Sequence, residues 1–302
     1  MYEVKWYTFS MIRFAFFGSS EFSIHVADAL LLRGLAPTVV VTTPDKPYGR
    51  GLVVSPNLVK AWAQKNGIPV LDPAKFDDAF IEKLKGCNCE VFVVASYGKI
   101  IPEKVLDAAP KRTLNVHPSL LPSYRGASPI QSAIVDDAKD TGVTIMRLDS
   151  EMDHGPIVAA KKVRFDEWPT YEKAEEKLGS VGGSLLATIL PDWMQEKAHE
   201  TPQDHSQATY TKKIKKEAGL LDLADISPDA PVDRAYLAFQ KIQAYHAWPG
   251  TYFFTEKNGK KIRVKVSSAS WKDQKLAIEK VIPESKKEMP YSDFMQSIAE
   301  NR

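Results

Sequence analysis

The chain has 302 residues, 44% of them hydrophobic and 26% charged, with a formal net charge of +2. This is an ordinary globular composition, long enough for two domains and a substantial core. No apolar run reaches the ~18 residues of a membrane span. The N-terminal "MYEVKWYTFSMIRFAFFGSS" lacks the apolar core and small-residue cleavage site of a signal peptide, so residues 1–10 read as an extension before a strand that follows Met11. The two cysteines, Cys87 and Cys89, are one residue apart. That spacing suits neither zinc nor a fold-stapling disulfide, so no metal site is expected and both read as free thiols in a reducing cytoplasm. Charge is uneven: from His205 onward there are 17 Lys and Arg against 12 Asp and Glu, and before it the balance is acidic. A basic C-terminal part fits either a solvated surface or an anionic partner.

In chain order, "IRFAFFGSS" reads as a buried strand and turn, and "EFSIHVADALLLRG" as an amphipathic helix stopped by Gly34. "APTVVVTTP" is a second buried strand. "NLVKAWAQKNG" is a helix, "IPVLDP" a short strand and "DDAFIEKLKG" another helix. "EVFVVASYG" is an apolar run long enough for a central strand, and "RTLNVHP" follows a short helix near 102–109. Strand and helix alternate, which predicts a Rossmann-like α/β domain: a parallel sheet with helices on both faces and ligands at the carboxyl ends of its strands. A helix at about 128–136, the strands "GVTIMRLD" and "GPIVAAKKVRF", and a helix from Tyr171 to about Gln195 complete this domain over residues 11–196. Residues 197–211 are polar, turn-rich and unpatterned, and read as a linker. Over 212–302, the helix "VDRAYLAFQKI" and a hairpin about "NGK" in "GTYFFTEKNGKKIRVKVSSASW" predict a small OB-like β-barrel.

The chemistry concentrates at "TLNVHPSLLPSYRGASP". Residues i and i+2 of a strand share a face, so Asn115 and His117 project together, and Pro118 ends the ladder just beyond them. "DSEMDHGPI" supplies Asp149 and Asp153 in a loop between two predicted strands. An amide donor, an imidazole and a carboxylate suit acyl transfer through a tetrahedral oxyanion. "GASP" and "GSS" lack the pattern of a nucleophile elbow, so direct attack by a substrate amine is favoured over a covalent enzyme intermediate. Taken singly, Asn-x-His also fits a hydrogen-bonded structural pair, and a loop Asp an ordinary turn residue.

Taken together, "LNVHPSLLPSYRGASPIQSAI" followed by "MDHGPI" resembles the formyltetrahydrofolate-dependent formyltransferases, with "FFGSSEFS" and "VVASYGKIIP" similar to that family's first turn and folate-facing loop. Glu151 departs from the Gly found at that place in many relatives. The resemblance implies 10-formyltetrahydrofolate as formyl donor and co-substrate. It implies Asn115, His117 and Asp153 as catalytic residues, with Asn115 and a cationic His117 at the oxyanion and Asp153 orienting the ring. It implies Tyr97, Gly98, Lys99, Ile100, Ser119, Leu120, Leu121, Pro122 and Asp149 as folate contacts. "TTPDKPYGRGLVVSPNLVKAWAQKNGIPV" and "PQDHSQATYTKKIKKEAGLLDL" resemble the family members that act on methionyl-tRNA. By that likeness Lys46, Tyr48 and Arg50 in the glycine-punctuated loop, and Lys212, Lys213, Lys215 and Lys216 at the edge of the second domain, are expected to meet initiator methionyl-tRNA. Lysines and arginines meet phosphates, and Tyr48 is placed to stack on a base.

Three rivals stay open on the residues: a sugar-nucleotide N-formyltransferase, a hydrolase of formyltetrahydrofolate, and a silent RNA-binding protein. The first should lack the Lys-Pro-x-Gly-Arg-Gly loop and the basic tail, and both are present. A cytoplasmic monomer without a membrane partner is expected.

Overall fold

The computed structural model describes residues 12–48, 53–55, 57–257 and 259–300. The expected N-terminal extension lies outside them. In chain order the first part builds β1 (Phe14–Gly18), α1 (Glu21–Leu31), β2 (Val39–Val41), β3 (Lys46–Tyr48), β4 (Val53–Ser55), α2 (Leu58–Lys65), β5 (Val70–Leu71), α3 (Asp78–Gly86), β6 (Val91–Ala95), α4 (Glu103–Leu106) and β7 (Thr113–His117). There follow β8 (Arg125–Gly126), α5 (Pro129–Val135), β9 (Asp140–Arg147), β10 (Ile157–Arg164), α6 (Tyr171–Met194) and β11 (Tyr210–Thr211). The chain closes with α7 (Val232–Ala244), β12 (Thr251–Lys257), β13 (Lys260–Lys272), β14 (Lys275–Pro283), β15 (Met289–Pro290) and α8 (Tyr291–Ala299).

The large sheet has the order β10-β9-β7-β6-β1-β2-β5. The continuous apolar runs at β1 and β6 form its middle, where both faces are covered and every residue of the two strands is buried. One face, carrying Ala15, Phe17, Val39, Val41, Phe92 and Val94, packs on Phe80, Ile81 and Leu84 of α3. α6 lies along the other face. A Cβ at Gly182 would meet Val116 of β7 at 2.6 Å, and one at Gly183 would meet the Val26 carbonyl of α1 at 2.3 Å, so these glycines let the helix settle between sheet and α1.

The expected parallel sheet holds from β5 through β2, β1 and β6 to β7, but β9 runs antiparallel to β7. Strand and helix alternation implies a crossover only when the helix packs back over the sheet. α5 packs instead against α7, so the connection from β7 to β9 is a return.

Contacts divide the chain into two compact units. The first takes in the described residues up to Arg125, with Gly142–Val163 and Glu176–Thr209; the second takes in Gly126–Thr141, Arg164–Glu175 and the chain from Tyr210. The polar stretch read as a linker therefore belongs to the first unit as far as Thr209, and Gln203 within it is buried. The second unit carries the expected small β-domain as an antiparallel sheet of order β12-β13-β14-β15. The β12–β13 hairpin pairs Lys257 with Lys260, as the "NGK" turn predicts. Register shifts between Val266 and Ala269 bend β13. Phe253, Val264, Val266 and Val281 pack on Ala238 and Ile242 of α7 and on Phe294 and Ile298 of α8. Outside the sheet, His246 Nδ1 lies 2.7 Å from Glu172 Oε1, and the Gln240 amide donates to Asp137.

Candidate active site

Asn115 and His117 stand on the sheet face that carries Val94, because Asn115 is in register with Val94 in a parallel pair. They occupy the carboxyl end of β7, where five parallel strands open and the ladder stops at Pro118. Both are buried, 8% and 4% exposed. The Asn115 amide makes no hydrogen bond to a described residue and its polar atoms keep some solvent access, so they are open to an incoming group.

The chain beyond Pro118 is pinned to β9. The Ser119 hydroxyl donates to Ser123 O, the Thr144 hydroxyl donates to Ser119 O at 2.7 Å, and Leu121 N–H donates to Thr144 Oγ1 at 3.1 Å. This turns the chain so that the Tyr124 carbonyl lies 3.0 Å from His117 Nε2. A carbonyl only accepts, so Nε2 carries a hydrogen. The other ring nitrogen, Nδ1, lies 3.5 Å from Asp153 Oδ1. Nδ1 thus faces the carboxylate, a contact that is an ion pair when the ring is protonated.

Asp153 belongs to a tightly fixed loop. The Asp149 carboxylate accepts from Glu151 N–H at 3.0 Å and meets His154 Nδ1 at 2.8 Å. Asp153 itself has φ of 52°, the left-handed region. Gly155 is the only residue that fits its place, because a Cβ there would stand 2.0 Å from the Arg147 carbonyl. Glu151 is exposed, so the departure from the resembled pattern falls on the solvent side of the loop and Asp153 still reaches His117.

Sequence reasoning missed three members of this site. Arg125 is 1% exposed, and its Nε and Nη2 donate to Gln203 Oε1 at 3.2 and 2.6 Å. Gln203 Nε2 donates in turn to the carbonyls of Asp153 and Gly155. His205 accepts from Arg125 at Nδ1 and stacks on His154, centroids 4.0 Å apart. Arg125 stood in the quoted "YRGASP", but nothing in "ETPQDHS" signals a buried glutamine.

The remaining expected residues are distributed as follows. Tyr97 follows β6, half-buried and edge-on to Phe17, with its hydroxyl 3.5 Å from Thr42 O; burial pushes its pKa up to about 12. Gly98 N–H donates to Ser19 Oγ at 2.8 Å. Lys99 turns away to the Pro73 and Ala74 carbonyls, and Ile100 is 92% exposed. Ser119 and Leu121 are buried, Leu120 and Pro122 half-buried. Asp149 is engaged by His154.

The glycine-punctuated loop begins and ends as a hairpin pairing Lys46 with Ser55 and Tyr48 with Val53. The side chains of Lys46 and Tyr48, and Arg50 altogether, lie outside the described residues. The root of the hairpin is stapled: Asn57 N–H donates to Asp45 Oδ1, and Lys60 pairs with both Asp45 and Asp72 at 2.8 Å. The Lys60 ammonium holds the Asp45 carboxyl below its usual range. Lys212, Lys213, Lys215 and Lys216 are all exposed. Among the described residues no helix is long and apolar enough to cross a membrane, and no group of three or more His, Cys, Asp or Glu is arranged to hold a metal.

The family profile described as "Formyl transferase" matches residues 12–190. A methionyl-tRNA formyltransferase of Chloroflexus aggregans is 40% identical over 244 residues, 80% of this chain and 76% of the relative. Among solved structures, a methionyl-tRNA formyltransferase from Clostridium thermocellum has a TM-score of 0.57 at 17% identity, covering 90% of this chain and 99% of that one. A 4-N formyltransferase from Francisella tularensis has a TM-score of 0.61 at 17% identity, covering 84% of this chain and 96% of that one. The fold is thus shared by differently named formyltransferases, and the choice between them rests on sequence identity.

Proposed function

The chain belongs to the formyl transferase family, among its methionyl-tRNA formyltransferases, and from that premise we propose that it moves the formyl group of 10-formyltetrahydrofolate onto the α-amine of methionyl-initiator-tRNA. The observation that carries the mechanism is the placement of Asn115 and His117 on one face at the mouth of the sheet, with Asp153 at 3.5 Å from the ring.

In this reading the neutral amine attacks the formyl carbon, and the Asn115 amide, unengaged by any described residue, donates to the oxyanion. Cationic His117 supplies positive charge beside it, held by Asp153 and the Tyr124 carbonyl. The amine loses one proton as the amide forms, and N10 of the departing tetrahydrofolate gains one. Asp153 accepts the first and, once protonated, returns it to N10, so the carboxylate and the ring both end as they began. The Asn115 amide, open at the mouth of the sheet, fits a formyl oxygen. Tyr97 and the backbone of 98–100 and 119–122 would flank the pterin, with apolar neighbours and strand-end polar groups as its partners. Lys46, Tyr48 and Arg50 would meet the acceptor end of the tRNA and the lysines at 212, 213, 215 and 216 its phosphates. The setting we assign is a cytoplasmic monomer.

Removing one oxyanion donor typically costs ~10²–10³ in turnover. Purified Asn115→Ala and His117→Ala should each lose at least that in kcat for formylation, with melting temperatures close to the parent's. Near-normal turnover in either would defeat the assignment.

A further inference from the structure

Gln203 lies in the stretch that looked like linker, yet it is 6% exposed and reaches the candidate site. We propose that Arg125 and Gln203 are positioning residues for the formyl-transfer step: a two-residue clamp that sets where the Asp153 carboxylate stands relative to His117. The proposal deepens the reading above and rests on it.

The direction of each bond is fixed by chemistry. A guanidinium only donates, so the Gln203 atom that Arg125 grips at 2.6 and 3.2 Å is the amide oxygen. The NH₂ group is thereby aimed the other way, where the carbonyls of Asp153 and Gly155 accept from it at 2.9 and 2.7 Å. Both hydrogens of one amide are thus spent on the carbonyls of the two residues that flank His154. Asp153 is a non-glycine residue in the left-handed region, a conformation that persists only where surroundings enforce it. Gly155, under the Arg147 carbonyl, closes the loop from the other side. Arg125 is in turn held from two directions. Its backbone N–H donates to Thr209 O at 2.9 Å, and its Nη2 donates to His205 Nδ1 at 2.8 Å. Arg125 directly follows Tyr124, whose carbonyl faces His117 Nε2. One buried arginine thereby adjoins the contact on one ring nitrogen and, through Gln203, sets the contact on the other.

Misplacing a reacting group by ~1 Å can cost ~10²-fold. The informative variant is Gln203→Glu, which keeps length and an acceptor for Arg125 but presents a carboxylate, with no hydrogen to give, to two carbonyls. Gln203→Met, which neither accepts nor donates, is its partner should the glutamate fold poorly.

The test is a double-mutant cycle read in kcat and KM for formylation, with a crystal structure of whichever Gln203 variant folds. Gln203→Glu should lower kcat by ~10²-fold with KM for the folate donor within about two-fold. In an Asp153→Asn background the same change should cost no more than about two-fold, because the carboxylate it positions is already gone. The variant structure should show Asp153 Oδ1 displaced from its place beside His117 Nδ1 by more than ~0.5 Å. Equal losses in both backgrounds, or an Asp153 unmoved, would overturn the clamp. A parent protein inactive on charged tRNA would instead defeat the functional reading, while the structure of the variant would still decide the clamp.

Discussion

A phenol that stays neutral far into the alkaline range marks the loop after β6. Tyr97 is half-buried against Phe17, and burial raises its pKa from 10.0 to about 12. Its protonated form is therefore favoured in the folded state. The stability this contributes is complete below the unfolded value, near pH 10, and is lost as pH rises toward 12. Urea midpoints measured from pH 9 to 12 should fall more steeply for the parent than for Tyr97→Phe. Parallel midpoint curves would show that the hydroxyl is solvated. Asn115 and His117 were legible in the sequence because spacing by two on a strand puts side chains together and proline marks the end. Asp153 was legible only through the wider motif, since its approach to His117 depends on a loop closed by a tertiary contact.

Among elements, α6 shows how a close approach selects glycine. Ala at Gly183 would gain up to ~1 kcal/mol of helix propensity, but its Cβ would sit 2.3 Å from the Val26 carbonyl. Over-packing costs ~1–3 kcal/mol, and a backbone atom yields least. Gly183→Ala should therefore lower the melting temperature by several degrees, at ~2–4 °C per kcal/mol. At Gly86 nothing lies within 4 Å of a built Cβ, so Gly86→Ala should be neutral or slightly stabilising. Calorimetry of the two variants side by side checks the sign; a Gly183→Ala that melts at or above the parent would contradict the packing. The strands and helices of the first part were legible because apolar runs and caps are local signals. The reversal at β9 was not, because strand direction is set by whether α5 covers the sheet. Gln203 was hidden for the same reason: its burial comes from Arg125, 78 residues away in sequence.

For the whole molecule, the candidate site lies in the first unit, and the chain from His205 onward is basic. Each phosphate neutralised contributes ~0.7–0.9 to the slope of log affinity against log salt. Replacing Lys212, Lys213, Lys215 and Lys216 together by Gln should flatten that slope for tRNA by as much as ~3, while leaving the KM for the folate donor in place. An unchanged slope would assign the lysines to a merely solvated surface. The most direct measurement is the fate of a labelled formyl group carried on 10-formyltetrahydrofolate. It is offered in parallel to charged initiator tRNA, uncharged tRNA, free methionine, an amino-sugar nucleotide and water. The account predicts label on the methionyl α-amine of the charged tRNA, and none on the uncharged tRNA. Faster transfer to the sugar amine, or release as formate irrespective of tRNA, would contradict it.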